Sequence, residues 1–260
     1  MRHSLLLLCA FLGGCASRPP LPLRVPAEEA AWFKFPASLD ASEQVVVPAT
    51  VAAAIQFAME DFRPRDTKPH RGSDPVEACL YQRQSFDVEA TPSVEDIVLV
   101  RFSLSPGACI EEGPVMDMGS TYAVDPRRER IVAVQPGTPP AEAASFTFPM
   151  ELPLQGLIHI DGNTAAAIQL ALDHFLPWEA PPSRQPACLD RRDSYDVTAA
   201  PGPEGVVLVQ LVVDDQRCPP DPSESVEATS GKPLQEVVLY AVDIRTQRLL
   251  SIGRRFQRHP

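Results

Sequence analysis

The chain has 260 residues, 44% of them hydrophobic and 22% charged, with a formal net charge of −11 at pH 7. That length and apolar content suffice for one or two folded domains with sizeable cores. The acidic balance excludes the broad basic face that nucleic-acid binding needs, so no nucleic-acid partner is expected.

The first elements are addresses. Arg2 precedes the apolar run Leu5 to Leu12, which is far shorter than the roughly 20 residues of a membrane span and reads as an export signal. Leu12-Gly13-Gly14-Cys15 resembles the bacterial lipobox. That resemblance implies cleavage after residue 14, a diacylglyceryl thioether on Cys15 and a third acyl chain on its amine. Ala at position 16, in place of Asp, implies delivery to the outer membrane. The alternative is an ordinary signal peptide cut near Ala16. Residues 15–32, with Pro19, Pro20, Pro22 and Pro26, read as a Pro-rich tether.

From residue 33 the chain is one module written twice. Phe33-Lys34-Phe35-Pro36 returns as Phe146-Thr147-Phe148-Pro149, and the correspondence continues without a gap to Pro64 and Pro177. Cys79 and Cys109 return as Cys188 and Cys218. Residues 33–137 and 146–256 are therefore read as two repeat domains, each of a size to hold its own core.

Within each repeat the periodicity changes in a fixed order. Val45-Val46-Val47 and Ile158-His159-Ile160 read as short strands. Thr50 and Asn163 are the expected N-caps of the helices that follow. Val51, Ile55, Ala58 and Phe62 form one apolar stripe, matched by Ile168, Ala171 and Phe175, and Pro64 and Pro177 stop the helices. Phe86, Val88 and Ala90 alternate with polar residues. Val98, Val100, Phe102 and Leu104 make the apolar face of the next strand, copied by Val207, Val209, Leu211 and Val213. Thr121 to Asp125 with Ile131 to Val134, and Leu239 to Asp243 with Leu249 to Ile252, read as closing hairpins turned at Asp125 and Asp243. The fold class is thus α+β: two tandem β-α-β-β-β repeats, each an antiparallel sheet wrapped on one helix with a disulfide inside the repeat. This order, with its Tyr-Ala-Val-Asp strand, resembles the cystatin-like arrangement and PepSY modules, without the Thr-Gly turn usual there.

Four cysteines remain after the signal and the anchor, and matched spacing in an exported chain reads as disulfides. The duplication favours Cys79 with Cys109 and Cys188 with Cys218; zinc competes, but no C-x-x-C knuckle or paired histidines accompany them. The midpoint of each pair falls on a turn. Each bridge should therefore clasp the open end of a hairpin.

The sequence carries little that reads as catalytic chemistry. No metalloprotease, nucleophile-elbow, phosphate-loop or dinucleotide motif is present, so the expectation is no enzyme, no cofactor and no metal. His159 and His174 replace Val46 and Asp61 and read as edge or solvent-facing residues. Asp87 and Asp196, with Ser85, Ser194, Arg83 and Arg192 on the same face, read as a structural salt-bridge ladder. Glu111, Glu112, Asp117, Asp214, Asp215 and Asp221 lack the ordered spacing of a calcium loop. The basic tail Arg254, Arg255 and Arg258 reads as a frayed terminus. Ile97, Leu99, Val206 and Leu208 form a half-apolar outer face that packs the repeats together or receives a partner. The loops Ser105 to Ser120 and Asp214 to Gln235 differ most between repeats, which is where recognition is usually built. The expected function is a lipid-anchored envelope protein, in the periplasm or at the cell surface, that binds a protein or peptide partner as an inhibitor or immunity factor. A structural or assembly lipoprotein is the alternative.

Overall fold

The computed structural model describes residues 24–65, 67–109, 119–136, 146–178, 180–184, 186–219 and 234–258. The signal, Cys15, most of the tether and the centres of both variable loops lie outside the described residues. In chain order α1 (Ala27–Ala30) precedes the first repeat, which comprises β1 (Val45–Val47), α2 (Ala49–Phe62), α3 (Pro75–Leu80), β2 (Phe86–Pro92), β3 (Val98–Leu104), β4 (Ser120–Asp125) and β5 (Arg130–Pro136). The second comprises β6 (Ile158–Ile160), α4 (Gly162–Phe175), β7 (Tyr195–Pro201), β8 (Val206–Val213), β9 (Leu234–Asp243) and β10 (Arg248–Arg258). Four strands follow each long helix, one more than the β-α-β-β-β scheme, because the closing hairpin adds a pair to the central one.

The strands form two five-stranded antiparallel sheets, ordered β5-β4-β3-β2-β6 and β1-β7-β8-β9-β10. Each sheet takes its edge strand from the other repeat. Val88 and Ala90 of β2 lie opposite Ile160 and Ile158 of β6, while Val197 and Ala199 of β7 lie opposite Val47 and Val45 of β1. Three-residue strands have too few ladder bonds to stand alone, so each depends on the neighbour it borrows. The expectation that each repeat builds its sheet from its own strands is corrected at this one strand.

The exchange extends upstream. Phe33 and Phe35 pack on Val206, Leu208 and Ala241 of the second repeat's sheet, and Phe146, Phe148 and Leu152 cover Leu99, Ala123 and Ala133 of the first. The half-apolar outer faces are thus closed by the other repeat's Phe-x-Phe-Pro segment. Phe33 is 8% exposed, a burial that stabilises by about 2 kcal/mol. The residues before Phe33 are not wholly tether, since Val25 N–H donates to Leu249 O at 3.0 Å and Arg24 bridges the same residue.

Each long helix lies mainly on its own repeat's sheet, while its N-terminal part also meets the other repeat's β7 or β2. Phe62 of α2 stacks on Phe102 at 4.7 Å and meets Phe86 edge-on at 4.9 Å, so the apolar stripe read from the sequence is the buried one. Ala52 to Ala54 and Ala165 to Ala167 are buried, and their small side chains let each helix lie close on the strands it packs against. Buried side chains of both repeats form one continuous cluster running from Val47 through Ile55, Phe102 and Leu172 to Val242. The boundaries 33–137 and 146–256 mark the repeated sequence but not two separate cores.

The helices begin two residues earlier than N-caps at Thr50 and Asn163 would allow. Pro48 is the N-cap of α2 and Asp161 that of α4, where Asp161 Oδ1 accepts from Thr164 N–H at 3.1 Å. Thr50 and Asn163 therefore sit inside the first turn. Gly162 is required by a close approach on this side of the exchange, since a Cβ there would clash with Gln84 O and lie 2.9 Å from Phe86 O, both in the first repeat, whereas the matching position holds Ala49.

Both disulfides join the expected partners, with Cα–Cα separations of 5.5 Å for Cys79–Cys109 and 5.4 Å for Cys188–Cys218. The pairs Phe86–Leu104 and Tyr195–Val213 end the two hairpin ladders, and the bridges lie just beyond them. At the opposite ends the turns place Glu95 and Asp96, and Glu204 and Gly205, at positive φ.

Two outcomes are expected. Replacing Cys79 and Cys109 together by Ser should lower stability by up to about 3–4 kcal/mol and leave a single cooperative transition for both repeats; calorimetry resolving two transitions would contradict the shared core. Gly162→Ala should cost about 2–3 kcal/mol in urea unfolding, whereas Ala49→Gly at the matching position should cost under about 1 kcal/mol.

Candidate functional site

The polar residues common to both repeats hold the exchange together. Asp87 Oδ1 accepts from the N–H of Gly162 at 2.9 Å, and Asp196 Oδ1 from that of Ala49 at 2.8 Å. Each aspartate thus receives the first free amide of the other repeat's helix, where a carboxylate is favoured by the helix dipole. Burial pushes Asp196 above the ordinary carboxylate range, and the Ala49 amide opposes that rise. Arg83 does not pair with Asp87: its Nε donates to Arg63 O at 2.7 Å, and its other nitrogens reach Glu60 and Asp173. Arg192 donates to Leu176 O at 2.8 Å and lies 3.8 Å over the Trp178 ring. Arg63 and Leu176 are the C-caps of α2 and α4, so the expected ladder is replaced by two arginines closing helix C-termini. Ser85 Oγ donates to Cys79 O at 2.8 Å.

The internal symmetry fails at the C-terminal end of α4. Asp173 is 1% exposed and receives Gln56 Nε2 and Arg65 at 2.9 Å and Trp178 Nε1 at 3.0 Å. Glu60, its counterpart, is partly exposed and paired with Arg83. His174, expected to face solvent, is partly buried and bonded through both ring nitrogens. Arg24 donates to His174 Nε2 at 3.0 Å, and Nδ1 lies 3.2 Å from the Tyr240 hydroxyl. A guanidinium only donates, so Nε2 is an acceptor and the Nδ1 proton faces Tyr240. In the first repeat Tyr122 instead donates to Asp61 at 3.1 Å.

Around this pair is a cleft of about 440 Å³ that also exposes Arg184, Arg254, Phe175, Val238 and Ile252. Arg184 is held by Leu189 O and Phe175 O, both at 2.9 Å, and stacks 4.2 Å over Phe175. Arg63 makes the matching contacts to Leu80 O and Phe62 O from a different chain position. Burial pushes the Tyr240 phenol up to about 12, against the opposing fields of Arg24, Arg254 and Arg184. Arg254 belongs to β10 and pairs with Glu236 at 2.9 Å, so the basic tail is ordered strand at this position.

Two further grooves lie at matching places on the outer sheet faces. One, about 450 Å³, is bounded by Glu89, Arg101, Thr121, Pro149 and Met150. The other, about 520 Å³, is bounded by Ala37, Thr198, Gln210, Arg255 and Phe256. Their positions repeat and their chemistry does not.

His159 is exposed on β6 opposite Glu89, as its sequence position suggests. Asp125 and Asp243 are turn residues: burial raises each, but bonds from Arg128 to Asp125, and from Thr246 and Arg245 to Asp243, outweigh it and hold both below the ordinary range. Glu111, Glu112, Asp117 and Asp221 lie outside the described residues, and Asp214 binds the Gln216 amide. No group of three or more candidate metal ligands, and no helix long and apolar enough to cross a membrane, occurs among the described residues. Arg254 was legible as a departure from the repeat, since Pro136 occupies the matching position, whereas Arg24 precedes the repeated segment. Comparisons with protein-family models, curated proteins and solved structures found no match.

Burial and then the Arg24 charge lower the His174 pKa below its ordinary 6.5. The folded chain therefore binds fewer protons here than the unfolded one, and its stability should be full above pH 6.5 and fall as pH drops through the folded value. His174→Gln should flatten that portion of a urea-unfolding profile recorded from pH 7.5 to 5; an unchanged slope would refute the assignment.

Proposed function

We propose that this chain is a non-enzymatic, lipid-anchored protein of the bacterial cell envelope that binds a protein or peptide partner, as an inhibitor or immunity factor. The observation that carries this reading is the pair of outer-face grooves. They occupy equivalent places on a disulfide-bridged scaffold, yet differ in lining, and each has a large apolar side chain at its edge: Met150 is 100% exposed and Phe256 68%. A fixed frame with divergent surfaces suits recognition, and a rigid frame loses little conformational freedom on binding.

The non-enzymatic reading is supported by how the repeated carboxylates and arginines are spent, on helix termini and on one another. Lipid anchoring is supported by the Leu12-Gly13-Gly14-Cys15 segment, and outer-membrane delivery by Ala16. A cystatin-like or PepSY-like lineage is supported by a helix lying on an antiparallel meander in each repeat. The structural or assembly alternative supposed that two repeats space partners apart; their common core weighs toward the first reading.

Cross-linking and capture from detergent extracts should yield one stoichiometric exported protein with the native chain. The Met150→Asp, Phe256→Asp double variant should lose at least about tenfold in its recovery, equivalent to about 1.4 kcal/mol. Capture of many envelope proteins, insensitive to both substitutions, would favour the assembly role.

A further inference from the structure

We propose that the unrepeated cleft at His174 and Tyr240 is a phosphate-binding site, filled by a small phosphorylated ligand or by a phospholipid headgroup. In a chain with a net charge of −11, three guanidinium groups converge on one cleft of about 440 Å³. They come from three separated stretches of chain: Arg24 before the first repeat, Arg184 after α4 and Arg254 in β10. Gathering like charges opposes folding unless something negative shares the space. The acidic groups beside them are few. Glu236 pairs with Arg254 at the rim, and Asp190 accepts from the backbone N–H of Arg184. Neither enters the cleft lining.

Donor capacity remains after these contacts. Arg24 spends one nitrogen on His174, and Arg254 one on Glu236. Arg184 spends two on carbonyl oxygens, which fix its plane without neutralising its charge. Each guanidinium carries five N–H donors in a planar fork that matches phosphate geometry. Excess positive charge favours a phosphate, at −1 to −2, over a lone carboxylate. Phe175, Val238 and Ile252 give the cleft an apolar wall for whatever carries the phosphate.

The position of Arg24 connects the cleft to the anchor. Eight residues lie between it and Cys15, and the nine Cα-to-Cα steps reach at most about 30 Å. On the lipoprotein reading, on which the headgroup source alone rests, the cleft lies within reach of the membrane surface. Headgroup capture by Arg24 and Arg254 would then hold the folded body against the bilayer.

The test uses the full chain carrying Cys15→Ser, which removes the anchoring thiol. Calorimetric titration with inorganic phosphate should show saturable binding below about 10 mM, weakened at least about tenfold by Arg24→Gln with Arg254→Gln. Arg254 is 67% exposed, so Arg254→Gln alone serves if the double variant unfolds. Sedimentation with phosphatidylglycerol vesicles separates the sources: arginine-dependent binding identifies a headgroup, while phosphate binding without vesicle binding identifies a free phosphorylated ligand. No saturable phosphate binding, or phosphate or vesicle binding indifferent to Arg254, overturns the proposal. Mass analysis of Cys15 in the native protein tests lipid attachment separately.

Discussion

The reciprocal donation of one edge strand is the constraint on which the rest of this structure depends. Once β1 pairs with β7 and β6 with β2, the residues before them must cross to the other repeat's outer face, and the helices after them must start against the other repeat's sheet. Phe33, Phe35, Phe146 and Phe148 then find the apolar surfaces they cover. Gly162 meets the backbone of Gln84, and Asp87 and Asp196 meet helix amides that their own repeat does not supply. A three-residue ladder contributes little alone; its weight comes from the packed segments attached to both ends.

Much of this was legible in the residues and some was not. The strand and helix order, the helix stripe ending at Phe62, and both disulfide pairings followed from periodicity and duplication, because those signals are local or copied. The exchange was not legible, since a repeat that pairs within itself and one that pairs with its twin need the same strand sequence. Asp87 and Asp196 were visible as repeated carboxylates, but their partners lay in another repeat, and Arg83 and Arg192 were assigned to them by proximity in sequence. Within Pro48-Ala49-Thr50 and Asp161-Gly162-Asn163 the last residue of each looks the best cap, yet the first one is the N-cap, Pro48 without a side-chain bond and Asp161 with one.

The candidate cleft shows the same limit in a sharper form. His174 departs in sequence from Asp61, yet its neighbours Arg24 and Arg254 lie in the Pro-rich segment and in the basic C-terminal stretch. Each looked peripheral because it lies at an end of the repeated sequence. Strand β10 and the Arg24–Leu249 bridge bring those ends together at the C-terminal turn of α4. The Tyr122–Asp61 and Tyr240–His174 pairs occupy matching places, and in the second an imidazole that accepts from Arg24 stands where the first has a carboxylate.

The exchange also bears on what a half of this protein could be. A single repeat would leave one sheet without its edge strand and one strand without its sheet, and a second identical copy would supply both. Two such copies would close as a symmetric dimer, with every surface feature present twice. Joining them in one chain releases the two halves from that identity. A cleft such as that around His174 can then exist once per molecule, and the two outer grooves can face different chemistries while the frame between them stays the same.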